Sequence, residues 1–436
     1  MGQSVLNGFA REGGVLACRG LSLERTAADF GTPLYVYDVE GIEAHVRRFQ
    51  EAFRAVPFLL AYAVKANGAL ALLNRIAGLG AGADIVSLGE LRRAIRAGVP
   101  PDRIVFAGVG KTAEEMEAGL DAGIFAFHAE SAGELDLLAE VAGRRGMAAP
   151  VSLRVNPDVD SPTPHAYTRT GHAASKFGIP LGEAEALYIS RRGDARLAFR
   201  GIAVHIGSQI VDLAPYLRAL DTVIGLVDRL AEEGIRLEYL DLGGGFGVGY
   251  DGEPSFDLDA LAQEVAARVE PRGLRLILEP GRAIVGEAGI LLTRVLYVKR
   301  SGAKTFIVTD GGMTELLRPS HYGGFHRIVP VREREGAAEV IADIVGPICE
   351  TGDFLALDRP IALPEPGDLL AVETSGAYGF AMASNYNARR RPAEVMVEAG
   401  GAILIRRRES FDDLVRGEEI PARRGETQVP SPGEKR

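Results

Sequence analysis

The chain has 436 residues, of which 47% are hydrophobic and 25% are charged, which describes a globular protein of about two domains. Its 49 basic and 59 acidic residues give a net charge of −10, which disfavours nucleic acid and anionic membranes as partners. Two cysteines far apart argue against a disulfide framework, and the sequence shows neither a membrane-spanning run nor the pattern of a signal peptide. The expected location is the cytoplasm.

The N-terminal segment, residues 1–37, holds two short strand-like stretches. They are Val15–Ala17 and Pro33–Tyr37. Asp38 is then predicted to be the N-cap of a helix, because apolar residues recur behind it at helical spacing. The apolar positions of that helix are Ile42, Val46, Phe49 and Phe53.

The apolar run Phe58–Val64 predicts a buried strand that ends at Lys65. Because side chains alternate along a strand, Leu59, Ala61 and Ala63 share a face with Lys65. A lysine in that position is either a solvated strand end or a desolvated amine, whose pKa burial would lower and which could attack a carbonyl. This stretch alone leaves both interpretations open.

Helices and short apolar strands alternate after Lys65, which predicts an α/β fold. The strands number about eight, as in a closed (β/α)8 barrel of the TIM type. An open doubly wound sheet would alternate too, but no Gly-x-Gly-x-x-Gly turn follows the first strand. Besides the lysine strand, the predicted strands are Ala83–Val86, Ile104–Ala107, Ile124–Phe127, Val151–Val155, Ile202–His205, Tyr239–Leu242 and Arg275–Leu278. The predicted helices are Leu70–Leu79, Leu88–Ala97, Ala113–Ala122, Ala132–Arg145, Gly182–Arg191, Ala214–Glu233 and Leu258–Val269.

Beyond the last barrel strand, apolar runs follow one another without helices between them, which predicts a second, mostly β domain (a barrel or sandwich) that N-terminal strands join. The expected boundaries are residues 38–285 for the barrel and 1–37 with 286–416 for the β domain. Residues 417–436 are polar and charged, which is typical of a disordered tail. The predicted strands of the β domain are Lys304–Val308, Arg327–Val331, Glu339–Val345, Leu369–Glu373, Ala393–Glu398 and Ile403–Arg406.

Functional residues of such barrels lie at the C-terminal ends of the strands. The run Gly243–Gly247 follows the seventh strand, where successive N–H groups can close around a phosphate. Glu279 and Arg282 follow the eighth strand; alone they could be a surface ion pair of little worth. An amine, an anion site and a carboxylate together suggest pyridoxal 5′-phosphate, which needs a lysine Schiff base and a partner for its ring nitrogen. Further polar residues at strand ends are Ser87, His128, Asn156 and His205.

Several longer motifs match one known family in the same order. They are Y-A-V-K-A-N at 62–67, R-V-N-P-D-V-D at 154–160, K-F-G-I at 176–179, H-I-G-S-Q at 205–209, G-G-G-F-G at 243–247, E-P-G-R at 279–282, D-G-G-M-T-E-L-L-R-P at 310–319, G-P-I-C-E-T-G-D at 346–353 and G-A-Y-G at 376–379. From roughly residue 15 to 405 the chain resembles the diaminopimelate decarboxylases, in the alanine-racemase-like fold group of pyridoxal-phosphate enzymes. The resemblance implies decarboxylation of meso-2,6-diaminopimelate to L-lysine and CO2, in lysine biosynthesis, by a homodimer with shared active sites and no metal.

The resemblance also implies roles at the cofactor. Lys65 would hold it covalently, His205 would stack on its ring, and Glu279 would pair with the ring nitrogen. A lone histidine at a strand end can equally be a hydrogen-bonded core residue. Asp84 and Arg154 would lie near Lys65 and the ring, or form an ordinary buried ion pair. The implied phosphate-binding residues are Ser208, Gly243, Gly244 and Gly245, with Gly281, Arg282 and Tyr378.

The substrate end would be built largely from the second domain. By resemblance, the residues in contact with substrate would be Arg282, Arg318, Tyr322 and Tyr378. Arginine suits this work because its planar fork grips a carboxylate with two parallel bonds. Glu350 would face the distal amino group, and Cys349 would return a proton after CO2 leaves, although such a cysteine is otherwise simply a small buried residue. The Cys349–Glu350 loop would reach the active site of the partner subunit.

Three alternatives remain at this stage. A related decarboxylase could act on ornithine, arginine or a specialised amino acid, but relatives acting on basic amino acids carry Asp where this chain has Glu350. A racemase of this fold would place arginine, not Glu279, at the ring nitrogen. A non-catalytic relative would lose the lysine or the phosphate site, and both are present. The Ser-Pro-Thr-Pro-His-Ala stretch at 161–166 departs from the arrangement in relatives, which bears on fine specificity.

Overall fold

The computed structural model describes residue 6 and residues 8–159, 175–251 and 255–421. The stretch 161–166 and the part of the predicted tail from residue 422 onward lie outside the described residues. None of the helices in the described ranges has the length and apolar character needed to cross a bilayer.

The N-terminal segment is more ordered than its sequence predicts. A helix, α1, forms where none is predicted, capped by the Ser22 side chain, which accepts from the Arg25 N–H. The elements are β1 (Phe9–Glu12), β2 (Val15–Cys18), β3 (Leu21–Ser22), α1 (Leu23–Phe30) and β4 (Leu34–Asp38).

Asp38 stands at the predicted N-cap position of the next helix, α2 (Val39–Ala52), but its side chain does not cap it. The buried carboxylate instead accepts from Arg19, at 3.0 Å from Nε and 2.8 Å from Nη2. A buried carboxylate needs a charged partner more than a helix end needs a cap, so the ion pair takes precedence.

The predicted (β/α)8 barrel is confirmed. Its parallel strands follow one another around the ring in chain order, and the last pairs with the first to close it. The strands are β5 (Phe58–Ala63), β6 (Gly82–Ile85), β7 (Ile104–Phe106), β8 (Ala126–Ala129), β9 (Ala149–Asn156), β11 (Leu197–Ala203), β12 (Tyr239–Asp241) and β13 (Arg275–Leu278), with the short β10 (Ile179–Pro180) paired outside β9. The remaining helices are α3 (Leu70–Gly78), α4 (Leu88–Arg96), α5 (Ala113–Ala122), α6 (Ala132–Arg144), α7 (Leu181–Arg191), α8 (Ala214–Glu232), α9 (Leu258–Val269) and α10 (Arg282–Val285).

The lysine strand alternates its faces as predicted. Leu59 and Ala61 pack against Val105, Tyr239 and Ile277 in the barrel interior. The strand ends at Ala63, earlier than predicted, and a single 3₁₀ turn carries Lys65 to the C-terminal end of the barrel.

The second domain is built around a sheet in which β4 lies between β14, antiparallel, and β20, parallel. An N-terminal strand therefore joins this domain, as predicted. The sequence analysis missed β14 and β18 and the short helices α11 and α12. The elements are β14 (Gly289–Ser301), β15 (Lys304–Thr309), α11 (Arg318–Tyr322), β16 (Ile328–Pro330), β17 (Glu339–Val345), β18 (Phe354–Ala362), β19 (Leu369–Val372), β20 (Ala393–Glu398), β21 (Gly401–Arg406) and α12 (Phe411–Leu414).

Tyr188 of α7 ties two barrel strands together. Its hydroxyl donates to the Gly201 carbonyl at 2.7 Å and accepts from the Leu153 N–H at 3.0 Å.

We expect Tyr188→Phe to lower the free energy of unfolding by about 1–3 kcal/mol, because both buried backbone groups lose this partner. The measurement is the urea midpoint at constant slope. Tyr297→Phe, at a side chain that is 67% exposed, is the matched control and should change nothing; equal effects of the two would contradict the account.

Candidate active site

Lys65 is paired with Asp84, which the neighbouring strand β6 presents. Lys65 Nζ donates to Asp84 Oδ2 at 2.6 Å, and the Asp84 side chain is fully buried, whereas 36% of the Lys65 side chain is exposed. Burial disfavours the charge on the amine, but Asp84 and Glu279 outweigh burial and raise the pKa of Lys65 above its ordinary value. Burial does act to lower this pKa, as expected, but the net shift is upward because Asp84 and Glu279 lie beside the amine.

A cavity of about 450 Å³ opens at the C-terminal end of the barrel beside this pair. Its polar lining includes Lys65, His128, Arg154, His205 and Glu279. The structure thus brings together side chains from strand ends that are far apart in sequence.

Two other polar residues at strand ends serve the backbone. Ser87 Oγ accepts from the Glu90 N–H at 3.2 Å and caps α4. Asn156 Oδ1 accepts from the Asp158 N–H at 3.0 Å.

His128 and Glu279 line the cavity, and the fully buried Asp241 lies next to His128. His128 Nδ1 lies 3.6 Å from Glu279 Oε1, and His128 Nε2 lies 3.7 Å from Asp241 Oδ2. Burial raises the pKa of Glu279 well above its ordinary value and that of Asp241 to about 7, and it lowers the pKa of His128 to about 3. Glu279 Oε1 is buried and has no hydrogen-bond partner within the part of the chain described. Asp241 was not singled out from the sequence, although it lies two positions before the glycine run.

Two of the N–H groups in the glycine run have partners within the chain. The Gly243 N–H donates to Asp241 Oδ1 at 2.7 Å and the Gly244 N–H donates to His205 Nδ1 at 3.1 Å, so these two donors are already used. Their contribution is close packing: a Cβ on Gly244 would lie 2.2 Å from the Glu279 carbonyl oxygen. Gly245 has φ +97°, and a Cβ there would lie 2.3 Å from the Gly207 oxygen.

His205 is held as a neutral imidazole. Its Nδ1 accepts a hydrogen bond from the Gly244 N–H, so the single proton of the neutral ring is on Nε2. Burial, with Arg154 and Lys65, keeps the pKa of His205 well below its ordinary value.

Arg282 begins α10 and reaches back across the glycine run. Its Nη1 donates to the Tyr250 hydroxyl and its Nη2 to Ser208 Oγ at 3.3 Å. The ring of Tyr378 lies 5.0 Å from the guanidinium, and a Cβ on Gly281 would meet Ala66 at 2.9 Å. Ser208, Gly281, Arg282 and Tyr378 are thus neighbours, as the sequence analysis expected of a phosphate site.

Arg154 does not pair with Asp84. Its Nη1 donates to Glu130 Oε1 at 3.0 Å. Glu130 also accepts from the Gly108 N–H at 3.0 Å and the Gly178 N–H at 3.1 Å, so one buried carboxylate joins three segments at this end of the barrel. The sequence analysis missed Glu130, because an acid after a strand has no distinguishing spacing.

The predicted substrate residues fall into two groups. Arg318 is buried on α11, its guanidinium 4.8 Å from the Tyr250 ring, and Tyr322 is half-buried one turn later on the same helix. Cys349 and Glu350 are exposed, and neither group lines the 450 Å³ cavity. The Cys349 N–H donates to Asn387 Oδ1 at 3.2 Å, and Glu350 accepts from the Tyr386 hydroxyl at 2.5 Å. The alternative view of Cys349 as a small buried residue is therefore wrong.

The residues present fit pyridoxal phosphate. The cofactor requires an amine, a partner for its ring nitrogen and an anion site. Lys65 supplies the amine, and Glu279 has a buried oxygen with no hydrogen-bond partner in the described residues. Arg282 and Ser208 lie beside the glycine run, where there is no room for side chains.

Residues 39–286 match the family model described as the pyridoxal binding domain of pyridoxal-dependent decarboxylases. The diaminopimelate decarboxylase of Pseudomonas aeruginosa is 48% identical over 413 residues, which cover 94% of this chain and 99% of the relative.

Solved structures agree. The crystal structure of diaminopimelate decarboxylase from Helicobacter pylori complexed with L-lysine is 40% identical, has a TM-score of 0.87, and covers 90% of this chain and 98% of that one. The enzyme from M. jannaschii in complex with L-lysine is 36% identical with a TM-score of 0.90, covering 95% and 98%. From this similarity, and from the barrel and the site described above, the chain belongs to the diaminopimelate decarboxylase family of pyridoxal-dependent decarboxylases.

Proposed function

We propose that this protein decarboxylates meso-2,6-diaminopimelate to L-lysine and CO2 with pyridoxal phosphate. The observation that carries the proposal is the cavity in which the Lys65 amine and the buried Glu279 carboxyl face the same space. The names of the relatives, and the lysine bound to two of them, support the choice of substrate and product.

Bound pyridoxal phosphate supplies a ring that accepts the electron pair left when CO2 departs. Lys65 would hold the cofactor through its amine, which must first lose a proton, and Asp84 Oδ2, 2.6 Å away, positions that amine. Glu279 would face the ring nitrogen, with His128 and Asp241 behind it. His205, held neutral by the Gly244 N–H, would lie against the ring without adding charge.

The phosphate would be held by the Ser208 hydroxyl, the Arg282 guanidinium and the backbone at Gly245. Arg282 and Arg318 would bind substrate carboxylates, with Tyr322 and Tyr378 beside them. We propose that Cys349 and Glu350 act in the cavity of a second copy, as the family resemblance implies; both are exposed on their own chain. The working unit is then a homodimer, in which Cys349 returns the proton and Glu350 meets the distal amino group.

A substrate panel tests the reaction itself. We expect CO2 release from meso-diaminopimelate to exceed that from lysine, ornithine, arginine and glutamate by at least about 100-fold, because only diaminopimelate offers an intact amino acid at the distal end for two arginines. The measurement is kcat/KM by CO2 release. A preference for ornithine would favour the related decarboxylases and overturn the substrate assignment.

The shared site is tested by subunit mixing. Lys65→Ala and Cys349→Ala homodimers should each be nearly inactive. When the two are coexpressed at equal levels, half of the dimers are mixed and each has one intact site out of two, so activity should return to about one quarter of wild type in the whole mixture and to about one half in the purified mixed dimers. Activity is assayed on mixed dimers purified with two tags. Mixed dimers that stay inactive would show that each chain supplies its own Cys349.

The role of the glycine run in cofactor binding is tested by Gly244→Ala. A methyl group there would push the Glu279 backbone and the glycine turn apart, so we expect cofactor affinity to fall about tenfold or more. Cofactor content per chain, from absorbance, is the measurement. Gly133→Ala, on α6 with open space around it, is the control and should bind the cofactor normally. Equal cofactor content in the two variants would refute the proposal that close packing at Gly244 is needed for cofactor binding.

A further inference from the structure

We propose that His326 is a positioning residue for Arg318, and that it determines the preference for ligands with a carboxylate at the distal end. This inference rests on the proposed function, in which Arg318 binds substrate. It assigns a role to a residue that no motif of the sequence analysis singled out.

The hydrogen bonds of His326 determine its tautomer. Nδ1 lies 2.8 Å from the Glu373 carbonyl oxygen, which can only accept, so Nδ1 carries the proton. Nε2 lies 2.6 Å from Arg318 Nη1, which can only donate, so Nε2 offers its lone pair. The imidazole must therefore be neutral, and burial together with Arg318 keeps its pKa well below the ordinary value.

Arg318 is a buried cation without an anionic partner in the described residues. Its side chain is 7% exposed, and the groups that act on its charge are Arg282 and three tyrosines, none of them a carboxylate. The tyrosines are Tyr250, Tyr322 and Tyr378. A buried guanidinium without a counter-ion is costly, and a ligand carboxylate removes that cost.

The bond to His326 uses one N–H of Arg318 and leaves the others available. His326 is itself rigidly placed, since Arg359 Nη1 donates to its carbonyl oxygen at 2.9 Å. The Tyr250 ring packs edge-on against the imidazole at 5.3 Å and its hydroxyl accepts from Arg282. His326 and Tyr250 thus hold the arginine of the β domain in a set orientation to Arg282 of the barrel.

The test compares His326→Phe with His326→Gln. Phenylalanine removes the acceptor for Arg318, whereas the glutamine amide can donate to Glu373 and accept from Arg318. L-lysine and cadaverine serve as competitive ligands of the holoenzyme. Both have a five-carbon chain with an amine at each end, but only L-lysine has a carboxylate.

We expect His326→Phe to raise the KM for diaminopimelate and the inhibition constant of L-lysine about tenfold, the scale of one charge-assisted hydrogen bond. The inhibition constant of cadaverine and the kcat of this variant should stay within about threefold of wild type. The absorption spectrum of the bound cofactor should be unchanged. His326→Gln should stay close to wild type throughout. Equal weakening of both ligands, or no weakening, would overturn the proposal.

A second measurement needs no variant. Nitrogen NMR of the holoenzyme should show His326 as the neutral tautomer with its proton on Nδ1 at pH 6, and a protonated ring would overturn the proposal. The two hypotheses fail separately. If diaminopimelate is decarboxylated but His326→Phe discriminates like wild type, only this inference is wrong. If diaminopimelate is not a substrate, the ligand comparison and the tautomer still decide the role of His326.

Discussion

The ion pair between Lys65 and Asp84 is the interaction on which the rest of the site depends. The amine sits on a single 3₁₀ turn, and the carboxylate that meets it at 2.6 Å comes from the adjacent strand, so the pair depends on the register of β5 against β6. Asp84 is fully buried and would be costly without a cation. The pair therefore fixes a flexible side chain at the cavity, whose lining includes Lys65.

Two other buried carboxyl groups at this end of the barrel are held by neighbours too. Glu130 joins Arg154 to two backbone segments, and Asp241 accepts from the Gly243 N–H. The cavity itself is lined by barrel residues, among them Lys65, Arg154 and Glu279. The β domain contacts the barrel next to it, where the Tyr378 N–H donates to the Ala66 carbonyl at 2.8 Å, directly beside Lys65.

Much of the fold could be predicted from the sequence, because strand and helix periodicities in the barrel are strong and its helices begin and end within a residue or two of expectation. The positions of Lys65, Glu279 and Arg282 at strand ends also followed from the order of the elements. Other features depended on three-dimensional neighbours. The raised pKa of Lys65, the use of the Gly243 and Gly244 N–H groups, and the exposure of Cys349 are set by residues distant in sequence. The sequence did not single out Glu130, Asp241 and His326 for the same reason, because their roles depend on contacts with residues that are distant in sequence.

The most direct test of this account is to reduce the holoenzyme with borohydride and map the lysine that carries the cofactor. Lys111 is the informative competitor, because it too is buried near the cavity, but its Nζ already donates to Gly108, His128 and Glu134. We predict that the cofactor is fixed to Lys65 alone, with the peptide of Lys111 unmodified. Label on Lys111, or reduction that fixes no cofactor to the chain, would contradict the central claim that the Lys65 amine is the one presented for chemistry.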